Sequence, residues 1–296
     1  MTTPTPESIR SGDARAIARA ATLIENRDPA GEALLRALFP FTGRALVAGL
    51  TGPPGAGKST LVSALAAEFR LRGLRVAILA VDPSSPFSGG AILGDRVRMM
   101  AHHGDSGVFI RSMATRGRLG GLAPATGDLS LLCDAAGFDV VLIETVGVGQ
   151  DEIDIARLAG VNAVVLVPGM GDGIQALKAG ILETASLFAI NKSDRPGARE
   201  LAAELHAEAP EIPVFHTVAT EPPASPGAGI RELAAAILNA RPTAARRTLL
   251  WRWRLREMLL ERLASRIDDA RLAAAAGQVA SGARDPYGIV EEWTAG

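Results

Sequence analysis

The sequence predicts a doubly wound α/β domain with a mostly parallel sheet, preceded by helices and followed by a helical extension. Three observations carry that prediction. Seven short apolar runs, RALVAGL, RVAILAV, VFIRSM, FDVVLIE, NAVVLVP, LFAIN and IPVFHTV, alternate with helical segments between residues 44 and 240. Runs that are apolar on both faces arise where a parallel sheet lies between two helix layers. Residues 5–40 instead show apolar positions at helical spacing, through Ala16, Ile17, Ala20 and Leu23 and again through Ala33, Leu34 and Leu38, which reads as two short amphipathic helices. From 242 the strand signal stops. TAARRTLLWRWRLREMLLERLASRIDDARLAAAA reads as one long helix with a stripe through Leu250, Trp253, Met258 or Leu259, and Leu263. The expected organisation is therefore 1–42, 43–240 and 241–296.

Composition narrows the class. The chain has 296 residues, 48% apolar and 21% charged, with a formal net charge of -1. The apolar share fills a sizeable core and excludes disorder for most of the chain. The charge balance argues against a bulk nucleic-acid binder, which carries a basic excess. A single cysteine, Cys133, excludes a disulfide framework and a multi-cysteine zinc site. No signal peptide and no membrane-length apolar run are read, so the expected location is cytoplasmic, with neither a membrane nor a nucleic-acid partner. Of the basic residues only three are lysines: Lys58, Lys178 and Lys192. In so arginine-rich a chain a lysine marks a place where arginine does not serve.

In parallel α/β sheets, ligands bind beyond the carboxyl ends of the strands. After RALVAGL comes TGPPGAGKST, in which Gly52, Gly57, Lys58 and Ser59 match G-x-x-x-x-G-K-[ST]. Backbone N–H groups of Gly55, Ala56, Gly57 and the start of the next helix, up to Thr60, can wrap phosphates there. Lys58 is a compact charge for the β/γ-phosphates, and Ser59 offers a hydroxyl to magnesium. About 130 residues on, the run LFAI leads into Asn191, Lys192, Ser193 and Asp194, an N-K-x-D pattern that reads guanine. The Asp194 carboxylate accepts from the ring N–H and the exocyclic amine, neither of which adenine presents in that arrangement. Thr217, Val218 and Ala219 follow the last run and suit a backbone contact to the base.

Carboxylates at other strand ends suit a magnesium ion or its waters. These are Glu144, at the end of FDVVLIE, Asp82, at the end of RVAILAV, and Asp95 downstream. Gly147 is placed for an N–H on the γ-phosphate. Val148 stands where many switch GTPases carry the glutamine that orients water, and Gln150 lies three positions beyond Gly147. That predicts slow intrinsic hydrolysis. The third lysine, Lys178, shares PGMGDGIQALKAG with Asp172 and Gln175 at i, i+3, i+6 spacing.

Taken together, GPPGAGKST, AVDPSSPFSGGAILGDRVRM, RGRLGG, ETVGVGQDE, GDGIQALKAGI and NKSD resemble the MeaB/ArgK-type GTPases, which include the human methylmalonic aciduria type A protein. The resemblance implies a P-loop GTPase fold, bound GTP or GDP with Mg2+, and a homodimer held partly by the C-terminal helices. It also implies a chaperone of a cobalamin-dependent acyl-CoA mutase, gating adenosylcobalamin delivery and protecting the mutase, with hydrolysis stimulated by that partner. By motif position Asp82, Asp95 and Glu144 become the magnesium-linked acids, and Asp172, Gln175 and Lys178 an additional switch loop. Gly173, Ala179 and Pro124 depart from the family pattern. The alternatives are a nickel-type metallochaperone GTPase, which needs shared Cys/His ligands, and a kinase, as the older ArgK label suggests.

Overall fold

The computed structural model describes residues 3–82, 102, 104–114, 125–145, 151–169 and 185–294, without the side chains of 82, 114 and 151–153. Seven strands form one all-parallel sheet: β1 (Leu46–Thr51), β2 (Val76–Asp82), β3 (Val108–Ala114), β4 (Val140–Glu144), β5 (Val161–Leu166), β6 (Leu187–Asn191) and β7 (Val214–Thr217). Each of the seven apolar runs supplies one strand. Their order is β3-β2-β4-β1-β5-β6-β7, so β1 is central and flanked by β4 and β5. Leu50 pairs with Glu144 and with Ala163, and this register brings the ends of β1 and β4 to one rim.

Helices cover both faces, as the apolar runs require. On one face lie α4 (Lys58–Leu71) and α8 (Ile230–Asn239), where Leu61, Leu65, Phe69, Leu233 and Ile237 pack on alternate residues of the sheet. On the other, α2 (Ala14–Glu25), α3 (Pro29–Leu38) and α5 (Thr126–Ala135) bury Ile17, Leu34, Leu38 and Leu132 against Leu79, Val141 and Ile143. The same face holds α6 (Asp151–Leu158) over β1, where Gly49 leaves room for Ile155. Farther along, α7 (Ala198–Glu208) packs on Val164, Phe188 and Ile190.

The N-terminal region has three helices rather than the expected two. A short α1 (Pro6–Arg10) precedes α2, because Gly12 takes φ 82° and Asp13 then caps α2 through Arg15 N–H and Ala16 N–H. Ala33 faces solvent and Leu23 is half-buried, with Ile24 in the core instead.

A buried carboxylate ties α5 to the entry of β1. Asp134 on α5, only 7% exposed, accepts hydrogen bonds from the backbone N–H groups of Gly43, Arg44 and Ala45, just before β1. Asp134→Ala strands these donors and is expected to cost about 2–4 kcal/mol of unfolding free energy. Urea melts check this; a loss below about 0.5 kcal/mol, the scale of an ordinary surface change, would contradict it.

The chain divides into two compact units, 1–246 and 247–296. The second comprises most of α9 (Ala244–Ala264), then α10 (Asp269–Ala280) and α11 (Pro286–Thr294). The expected single long helix is interrupted after Ala264, where Asp268 caps α10 by accepting from Arg271 N–H at 2.7 Å. No residue of α9 is buried, and Leu255, Met258, Leu259 and Leu260 lie 45–60% exposed on it. Among the described residues no helix is long and apolar enough to cross a membrane.

Candidate functional site

The end of β1 turns sharply into the glycine-rich loop. Gly52 adopts φ 135°, and a Cβ there would sit 2.1 Å from the Val165 carbonyl oxygen. Only glycine lets the loop cross the adjacent strand so closely. Gly55 and Gly57 also take positive φ, and Gly57 caps α4 in the left-handed region. The turn aims the first N–H groups of α4 outward from the rim, as anion binding at a helix start requires. Ala56 is fully buried, Gly55 exposed and Thr60 half-buried.

Lys58 is 6% exposed and its side chain curls back along the loop. Its Nζ donates to the Gly52 and Pro53 carbonyls at 2.7 and 3.0 Å. The next residue, Ser59, is 8% exposed, and its hydroxyl donates to Glu144 Oε1 at 2.5 Å. Helix start and strand tip are thus joined through two hard oxygens, the donor type that magnesium selects. Asp82 ends β2, two residues past Ala80, the register partner of Glu144, so it lies on the same rim.

A second loop meets the first through one side chain. Asn191, 2% exposed at the end of β6, donates from Nδ2 to the Ala56 carbonyl at 2.8 Å. Its Oδ1 accepts from Ala219 N–H at 3.1 Å and from the Thr217 hydroxyl at 3.4 Å. Lys192, with φ 55°, sends Nζ to the Gly55 carbonyl at 2.8 Å. Ser193 clasps the Thr217 carbonyl with its N–H at 3.1 Å and its hydroxyl at 3.2 Å. Asp194 stands exposed beside them and Val218 is half-buried. Three segments far apart in sequence, 52–60, 191–194 and 217–219, therefore form one connected rim.

Asp95, Gly147, Asp172, Gln175 and Lys178 lie outside the described residues, as do Gly173, Ala179, Pro124 and the side chain of Asp82. Cys133 is fully buried in the core, and burial pushes its thiol pKa well up, so it is neither a thiolate nor a surface ligand. Among the described residues no group of three or more His, Cys, Asp or Glu side chains is placed to hold a metal ion. Sequence reading missed the Gly52–Val165 crossing and a contact between Ser63 and His102. Neither has a local signal, because both join segments whose approach depends on the sheet.

With this geometry in place, comparison with known proteins is direct. The family model described as methylmalonyl Co-A mutase-associated GTPase MeaB matches residues 17–276. A protein of Pyrococcus horikoshii named as a GTPase is 48% identical over 238 residues, covering 77% of this chain and 74% of that protein. The GTPase ArgK of Escherichia coli is 44% identical over 202 residues, covering 67% of this chain but only 61% of its own length. Among solved structures, that of a LAO/AO transport system kinase superposes with TM-score 0.68 at 28% identity, over 98% of this chain and 95% of that one. HypB from Helicobacter pylori in complex with nickel superposes with TM-score 0.51 at 17% identity, over 77% of this chain and 98% of that one, a likeness of fold alone.

Proposed function

Since the chain belongs to the MeaB family of methylmalonyl-CoA mutase-associated GTPases, we propose that it binds GTP with Mg2+, hydrolyses it slowly to GDP and phosphate, and acts as a chaperone of a cobalamin-dependent acyl-CoA mutase. The observation that carries the nucleotide reading is the Asn191 hub. Its amide joins the glycine-rich loop at Ala56 to the loop at Ala219, so the segments suited to phosphate and to base stand side by side on one rim.

Each group then has a task. Lys58 and the N–H groups from Gly55 to Thr60 hold the phosphates. Ser59 and Glu144, with Asp82 and Asp95, fit a magnesium ion or its waters, and that ion when bound neutralises charge on the β- and γ-phosphates. Gly147 offers an N–H to the γ-phosphate. Asp194 accepts from the guanine edge, Lys192 steadies the loop beneath the purine, and Thr217 to Ala219 close the base pocket. No glutamine directly follows Gly147, and the expected slow intrinsic rate follows from that. Asp172, Gln175 and Lys178 relay nucleotide state to the mutase, which in turn stimulates hydrolysis. In this reading the chaperone gates delivery of adenosylcobalamin and guards the mutase from inactivation.

The exposed apolar residues of α9, Leu255, Met258, Leu259 and Leu260, support a homodimer through the C-terminal helices. A cytoplasmic place without nucleic-acid or membrane partners completes the reading. The nickel alternative is weakened by the burial of Cys133, the only thiol in the chain.

Nucleotide-dependent co-purification with candidate acyl-CoA mutases tests the proposal, with the GTPase rate read in parallel. A complex whose yield depends on the nucleotide, with faster hydrolysis, is the expected result. Absence of both with every cobalamin-dependent mutase tried would remove the chaperone role and leave the nucleotide site standing.

A further inference from the structure

Two loops of the rim each lead into a helix of the same layer. The glycine-rich loop runs into α4 at Lys58, and the 217–219 loop leads through residues 220–229 into α8 at Ile230. Both helices share one core with Ala56, Ala219 and Ala228. Val218 N–H donates to the Ala228 carbonyl at 3.0 Å, and a Cβ on Gly229 would lie 1.8 Å from the His216 carbonyl oxygen. With φ 68° at Gly229, α8 starts hard against the end of β7. The first turn of α8 therefore cannot shift without carrying residues 217–219 with it.

A polar clasp joins that turn to α4. Arg72, at the C-terminal end of α4, donates from Nε to Glu68 Oε1 at 2.8 Å and from Nη2 to the Arg231 carbonyl at 2.9 Å. Arg231 Nε lies 3.9 Å from the same carboxylate oxygen. Glu68 is only 3% exposed, and its Oε2 is buried without a hydrogen-bond partner. Such a carboxylate is a poor source of stability, since apolar side chains of similar volume commonly replace a buried ion pair at no loss. What the clasp adds is direction. Apolar packing between two helices is non-directional. A planar fork bonded to two fixed oxygens instead sets one register of α8 along α4.

From this placement we infer that Arg72, held by Glu68, is a positioning residue for purine recognition: it fixes α8 on α4 and so sets residues 217–219 at the distance from the phosphate loop that a guanine nucleotide spans. The inference rests on the GTP reading above. It assigns no contact with nucleotide to either residue, for Arg72 stands at the opposite end of α4 from Lys58, about 20 Å along the axis. Asn191 joins the two loops at the rim itself. The clasp joins them a second time, through the helices they feed.

Displacement of a fluorescent GDP analogue by GTP, ATP and inorganic tripolyphosphate tests it on the full chain. In Arg72→Met, which keeps an apolar stem, GTP affinity is expected to fall about three- to tenfold, the worth of one lost hydrogen bond. ATP and tripolyphosphate are expected to stay within about twofold of wild type. That variant strips Glu68 of its main partner and can cost stability. The decisive protein is therefore Glu68→Met combined with Arg72→Met, which removes both charges and is expected to show the same fall in the ratio of GTP to ATP affinity. Glu68→Gln keeps an acceptor for Arg72 and is expected to keep the wild-type ratio. Asp134→Ala is the contrast: it lowers the melting temperature without changing the ratio. A wild-type ratio in the double variant overturns the inference, as does equal weakening of all three competitors. If wild type itself binds ATP as tightly as GTP, the underlying reading fails and the inference with it, and that control tells the two failures apart.

Discussion

Lys58→Arg is expected to weaken GTP binding nearly as much as Lys58→Ala, by about 100-fold or more, although the charge is kept. The ammonium lies 6% exposed against two loop carbonyls at 2.7 and 3.0 Å. Two charge-assisted hydrogen bonds from this ammonium to phosphate oxygens of bound GTP would be worth about 3–5 kcal/mol together, and each 1.4 kcal/mol is tenfold in affinity. A planar guanidinium is wider, donates in a fixed fork, and cannot turn three donors inward inside a closed loop. Forcing it in displaces the Gly52–Pro53 backbone that shapes the phosphate site. Calorimetric titration of GTP into the three proteins checks this, with thermal melts to confirm that each is folded. An arginine variant that binds within about tenfold of wild type, less than the loss of a single such hydrogen bond, would show that the loop recognises charge and not shape.

Asp194→Asn is expected to lower GTP affinity by about 100- to 1000-fold while raising affinity for xanthosine triphosphate. Asp194 is exposed, so the change should leave stability within about 0.5 kcal/mol. Its effect then reports on the base alone. A carboxylate accepts two hydrogen bonds from guanine; an amide presents one acceptor and one donor, which fits a base with a carbonyl in place of the amine. Competition between GTP, ATP and XTP reads the switch. A variant that still prefers GTP would place guanine recognition elsewhere, and wild-type protein that binds ATP as tightly would remove it.

Much of this rim was legible in the sequence because its chemistry is local. The N-K-x-D tetrad and the glycine-rich loop each occupy a few consecutive residues at the ends of strands that apolar runs already announce. The same holds for the all-parallel sheet. Runs such as VVLIE and LFAIN are apolar on both faces, and burial on both sides follows. Reading was poorer where a single turn decided the outcome. Asp13 and Asp268 both begin helices that periodicity alone merged with their neighbours. A helix cap is one residue and one backbone angle, and it leaves no period behind. The burial of Ile24 in place of Leu23 is a related case, since a shift of one residue turns the helix face by about 100°.

By itself the sequence determined which segments are strands, and that the glycine-rich loop and the N-K-x-D tetrad stand at strand ends. These depend on neighbours a few positions away, where covalent geometry and side-chain period leave few choices. Only the tertiary structure decided that Asn191 meets Ala56 across 135 positions, that Glu144 meets Ser59 across 85, and that His102 meets Ser63 across 39. Such contacts follow from strand order, in which β1 lies between β4 and β5. Strand order is settled by the packing of whole helix layers on the sheet, a sum over many weak apolar contacts that no short stretch of chain encodes.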